Sequence, residues 1–196
     1  MQPPLAPVLV LAALASVTNI SAAPPSGPVL SLQLGKRLSI NDPTWTGGDL
    51  SGSIAIDFPV SAIVAPAIVV GTSRGMHTFL PYENDEVNCD YLVPAVRFTS
   101  RPGGALRGYF LAGYGVLRAS VRAQVTYNPV ESSVFRYSST GGTAVLAAGM
   151  IVAVPGSRFS IVGELSALVP QTNLTGIGTV PQQMLATVGV RVALGR

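Results

Sequence analysis

One cysteine, one histidine and one lysine (Lys36) occur in 196 residues, and charged side chains make up 11% of the chain, against roughly 25% in an ordinary globular protein. A lone Cys89 forms no internal disulfide, and no Cys/His spacing suggests a zinc site. The arginines that carry the net charge of +3 are scattered, with no basic run of the kind a nucleic-acid-binding surface uses. Long apolar runs are missing as well. With 21 Gly and 16 Pro dispersed along the chain, no stretch of about 20 uninterrupted apolar residues exists, which disfavours a bundle of membrane helices. Yet 48% of the residues are hydrophobic, so disorder is excluded, and that hydrophobicity must lie in short pieces. The length suits a single domain.

The first piece reads as an export signal. Leu5 to Val17 is an apolar stretch of signal-peptide length, followed by polar Thr18 and Asn19 and by small residues through Ala23. The expected organisation is a signal peptide over residues 1–22, cleaved after Ala22, and a spacer over residues 23–28 containing Pro24, Pro25 and Gly27. One domain then covers residues 29–196.

Elsewhere the dominant signal has a period of two, which is that of a strand with one apolar face. Met184, Ala186, Val188, Val190, Val192 and Leu194 alternate with Thr187, Gly189, Arg191 and Ala193. Phe159, Ile161, Gly163, Leu165 and Ala167 alternate with Ser160, Val162, Glu164 and Ser166. Leu30, Leu32 and Leu34 form a third such series, and Leu50, Ile54, Ile56 and Phe58 a fourth. Four further strands are predicted over about 62–73, 90–99, 106–122 and 141–154, where Ala, Gly and Val occupy both faces. Tight turns at Pro59-Val60-Ser61, Arg101-Pro102-Gly103-Gly104 and Pro155-Gly156-Ser157 alternate with long loops near 39–48, 74–89, 123–140 and 169–181. In a meander of eight strands, that alternation puts every short turn at one end and every long loop at the other.

Strands of about 10 residues, an even count, and short turns opposed to long loops are the pattern of a bacterial outer-membrane barrel. From about residue 28 onward the chain resembles the small eight-stranded OmpA/OmpX-like barrels. The resemblance implies an all-β, antiparallel, up-and-down transmembrane barrel with short periplasmic turns and longer external loops, placed in the bacterial outer membrane. It implies outer-membrane lipid and the barrel-assembly machinery as partners. The chain departs from the family at its last residues, Leu194-Gly195-Arg196, where members commonly carry an aromatic residue.

Several residues stand out against this frame. Phe58, Phe98, Tyr109 and Phe159 each fall near a tight turn on the apolar face, as an aromatic belt at the periplasmic interface would. Trp45, Tyr127 and Tyr137, near the long loops, would form a sparser outer belt. Alternation turns Ser31, Gln33, Arg37, Ser51, Ser53, Asp57, Arg97, Arg118, Ser160, Glu164, Ser166, Thr187 and Arg191 inward. Among them Asp57, Glu164, Arg97 and Arg191 belong to the half nearest the tight turns, and enclosed charges need partners, so a structural ion-pair cluster that plugs the lumen is expected. Eight strands leave an interior only wide enough for side chains. Pro66 and Pro94 fall inside strands on the lipid face and predict a bulge or a weak seam.

Catalytic and cofactor signals are weak. His77, Cys89, Glu83, Asp85, Glu86 and Asp90 gather in the second long loop, where they read as a solvated acidic segment. No metal, cofactor or catalytic residue is assigned. The leading functional reading is a non-enzymatic outer-membrane protein with a structural, adhesive or minor permeability role. Its external loops would carry that role and bind any external ligand or surface. Two other classes stay open: a secreted, soluble lipocalin-like barrel that binds a small apolar ligand, and a lipid-modifying barrel enzyme using His77.

Overall fold

The computed structural model describes residues 27–39, 45–46, 50–80, 83–100, 105–128, 131–171, 173–174, 178–180 and 182–195. The signal peptide, and the spacer before Gly27, lie outside the described residues. Eight long strands are present: β1 (Val29–Ser39), β2 (Leu50–Asp57), β3 (Val64–Leu80), β4 (Glu83–Thr99), β5 (Leu106–Asn128), β6 (Glu131–Ala153), β7 (Phe159–Gln171) and β8 (Gln183–Ala193). Each pairs antiparallel with its sequence neighbour, β7 with β8 included, and β1 pairs with β8. The meander therefore closes on itself into an up-and-down barrel with no free edge around its waist.

The strong period-two segments set the facing. Leu32, Ile54, Ile68, Leu92, Val116, Leu146, Ile161 and Val188, one from each strand, point outward and are between 46 and 62% exposed. Their alternates are buried: Gln33, Ala55, Val69, Val93, Leu117, Ala147, Val162 and Thr187. The wall is thus apolar outside on every strand. The lumen is only half polar. Ser31, Gln33, Ser51, Asp57 and Thr187 line the β1, β2 and β8 side, while Val93, Leu111, Leu117, Val162 and Leu168 fill the opposite side at no more than 2% exposure. The expectation of a hydrophilic centre is corrected on this point. Val93, Leu111 and Leu117 come from strands with Ala and Val on both faces, and Val162 and Leu168 come from β7.

The tight turns fall where Pro and Gly placed them. Ser61 Oγ accepts hydrogen bonds from the amides of Ile63 (3.2 Å) and Val64 (2.9 Å), and Gly156 supplies the positive φ of 70° in the β6–β7 turn. Arg101 to Gly104 lie outside the described residues.

At the other end two expected loops are instead strands. β3 and β4 run through 74–80 and 83–89, and β5 and β6 through 123–128 and 131–140, as tall hairpins. A strand of 23 residues extends roughly 75 Å along its axis, so the β5–β6 hairpin stands well beyond the apolar band. Its outward residues there include Arg118, Ser120 and Arg122, which fall within the expected strand, and Arg136 and Ser138, which fall within the expected loop. Arg118 is accordingly outward and exposed, not in the lumen.

Pro66 and Pro94 do face outward on adjacent strands, opposite Val96 and Ile68. The β3–β4 ladder is regular there, and its bulge lies higher, between Ser73 and Met76, where Gly75 has φ 71° and its amide bonds Asn88 Oδ1 at 3.0 Å. The seam appears on the other flank of Pro94. The β4–β5 ladder passes from Leu92↔Val116 to Ala95↔Gly113 with no pair between, as a strand residue without an N–H requires.

Candidate functional site: a charged network in the lumen

The inward positions nearest the tight turns carry a network drawn from six strands. Asp57, at the end of β2, is fully buried. Its Oδ2 accepts from Arg191 Nη2 at 2.5 Å, and its Oδ1 lies 3.3 Å from Arg97 Nε. Arg191 Nε also donates to Ser31 Oγ at 3.1 Å. The Arg97 guanidinium sits over the Tyr109 ring, 4.5 Å from its centroid, in cation–π geometry. The Tyr109 hydroxyl donates to Glu164 Oε2 at 2.6 Å, and Gln33 Nε2 approaches the same oxygen at 3.4 Å. Thr187 Oγ1 completes the path by donating to Gln33 Oε1 at 2.5 Å.

Three of the four expected ionic residues, Asp57, Arg97 and Arg191, therefore share one contact. Glu164 is reached by a phenol and an amide and makes no ion pair within 4 Å among the described residues. Tyr109 joins the network because it is not in the outer belt. Its side chain faces inward and is 4% exposed, a correction to the expected facing. The reason lies across the strand pair. Tyr109 is opposite Gly149, and a Cβ at that glycine would come within 2.6 Å of the Tyr109 ring, so the missing side chain is the space the ring occupies. Tyr91 covers Gly71 in the same manner on β3 and β4. Phe58, Phe98 and Phe159 do point outward near the tight turns, each about half exposed.

Higher in the lumen, buried Arg37 donates through Nη1 to Ser73 Oγ (3.0 Å) and Gln183 Oε1 (3.3 Å), and Gln183 Nε2 approaches Cys89 Sγ at 3.3 Å. Sequence parity placed Arg37 here. Ser73 was missed because it closes an expected strand whose Ala, Gly and Val residues occupy both faces, and Gln183 because it falls just before the alternation that begins at Met184.

The acidic group around Cys89 is split by strand alternation. Asp85 and Cys89 are buried on the inner face, whereas Glu86 and Asp90 are on the outer one, where Asp90 pairs with Arg74 at 2.5 Å. The side chains of His77, Glu83, Trp45 and Tyr127 lie outside the described residues, and Tyr137 is exposed on the tall hairpin, stacked on Phe135 at 6.4 Å. Chemically the lumen network links charges and hydroxyls from six strands between apolar side chains, which suits tying strands together.

No family model matches the chain, and no curated protein matches it in sequence. Solved structures do. Neisserial surface protein A (NspA) superposes with a TM-score of 0.57 at 13% identity, over 86% of this chain and 98% of that one. Ail, the attachment invasion locus protein of Yersinia pestis, gives 0.48 at 10% identity, over 84% and 95%. The outer membrane enzyme PagL gives 0.44 at 11% identity, over 85% and 99%. The likeness to NspA shows the fold, a closed eight-stranded antiparallel barrel, as the OmpA/OmpX-like resemblance implied.

Proposed function

We propose that the mature chain is a non-enzymatic integral protein of the bacterial outer membrane, and that its tall hairpins carry an adhesive or structural role outside the cell. The observation that carries this reading is the facing of the wall. Large aliphatic side chains surround the whole circumference half exposed, while Asp57, Arg97 and Arg37 are buried inside. In water such a surface would aggregate, whereas acyl chains solvate it. A soluble lipocalin-like barrel would need the opposite facing, with the aliphatic face around a ligand. The packed waist of Val93, Leu111, Leu117 and Val162 argues against a permeability role.

Orientation follows from the two rims. Phe58, Phe98 and Phe159 mark the tight-turn end as the periplasmic interface. The hairpins of β3–β4 and β5–β6 then project outward past the roughly 9–11 residues that cross a bilayer. Beyond Gly142, β6 has no β7 partner, so Val134, Phe135, Arg136 and Tyr137 stand exposed on an open edge suited to contact with another surface.

The test is fractionation of cells that express the full chain, followed by gel migration with and without boiling. Recovery in the outer-membrane fraction with heat-modifiable migration is expected. Recovery as a soluble periplasmic or secreted protein without detergent would overturn the proposal.

A further inference from the structure

A cavity of about 80 Å³ opens at the tight-turn mouth of the lumen, beneath the β2–β3 turn, and its charged lining is of one sign. Arg97, Arg107, Arg158 and Arg191 all border it, with Thr99 and Ser160 beside them, and no carboxylate among the described residues does. The volume is several times what one water needs, enough for a polyatomic ion.

The arginines are not all spoken for. Asp57 is shared by Arg97 and Arg191, and Arg107 and Arg158 make no ion pair within 4 Å among the described residues. Arg97 is 1% exposed, yet its Nη1 has no hydrogen-bond partner, and neither does the buried Nε of Arg107. Buried donors without acceptors are rare, and two on adjacent strands bordering the same space point to a missing acceptor. Guanidinium forks match the oxygens of phosphate, and the hydroxyls of Thr99 and Ser160 add neutral donors.

We propose that this mouth is a binding site for a phosphate-type oxyanion, held chiefly by Arg97 and Arg107 with Arg158 and Arg191 completing the charge. The site requires only the closed barrel. Its placement on the periplasmic side rests on the orientation given above, so failure of that orientation would change the compartment and leave the binding intact. Two sources supply the same chemistry: free inorganic phosphate, and the phosphate of a lipid headgroup at the inner rim.

The experiment is calorimetric titration of the full mature barrel in a maltoside detergent, first with inorganic phosphate at constant ionic strength and then with a soluble short-chain phosphatidic acid. Arg107→Gln and Arg158→Gln are compared with the parent, and heat-modifiable migration confirms that each is folded. Saturable phosphate binding, weakened at least tenfold by Arg107→Gln and not competed by equimolar chloride, is expected. If only the phosphatidic acid binds, with the same loss in Arg107→Gln, the proposal stands with the headgroup as source. Absence of saturable binding for both probes on a folded barrel overturns it, as does binding that folded Arg107→Gln and Arg158→Gln leave unchanged.

Discussion

Removing the carboxylate of Asp57, itself fully buried, leaves the guanidiniums of Arg97 and Arg191 without their shared acceptor. Breaking a buried ion pair from one side costs about 3–5 kcal/mol, because the surviving charge stays desolvated. Asp57→Asn is therefore expected to lower the urea midpoint of the folded gel band by that equivalent. Glu164→Gln should cost less, about 1.5–3 kcal/mol, since its partners Tyr109 and Gln33 are neutral and keep an amide oxygen to bond. Urea titration of both variants in the same detergent checks the order, and a larger loss for Glu164→Gln would mean that the network converges on the wrong residue. Gly149 belongs to the same account, for the space above it is what admits Tyr109 to the lumen.

Among the strands, β8 offers the sharpest comparison. Val190→Arg puts a charge on the outer face at mid-strand, at an expected cost of about 2–4 kcal/mol in a bilayer. Thr187→Arg crowds the interior beside Gln33 and acts through packing, at about 1–3 kcal/mol. Unfolding in vesicles of different acyl-chain length separates them, because only the Val190→Arg cost should change with bilayer thickness. Strands of this kind were readable from sequence. In β1, β2, β7 and β8 an apolar face alternates with a polar or small one, which fixes facing, and from facing the inward positions of Asp57, Glu164 and Arg191 followed. The upper halves of β3 to β6 were not readable. Above the apolar band the contrast reverses, with Glu86, Asn88 and Asp90 polar outside and Val87, Cys89, Val121 and Ala123 buried inside, so the apolar face of the lower strand does not continue and the segment looks like a loop. Tyr109 was misplaced for a different reason. Its facing depends on Gly149 across the ladder, and that pairing exists only once the register is known.

As a whole, the molecule inverts the arrangement of a soluble domain. Half-exposed large apolar side chains ring its outside, its buried charges are inside, and the ladder that joins β1 to β8 leaves no edge around the waist. The tall hairpins then rise from a rigid base, which places exposed Phe135, Arg136 and Tyr137 far from the tight-turn end. The inversion is tested most directly by single cysteines carrying a nitroxide, introduced at Val188, Val190, Arg122 and Ser138 in a Cys89→Ser background and reconstituted into lipid vesicles. The account predicts that labels at Val188 and Val190 collide with oxygen dissolved in the acyl chains and are shielded from a water-soluble nickel complex, while labels at Arg122 and Ser138 show the reverse. Free access of the nickel complex to Val188 and Val190 would contradict it.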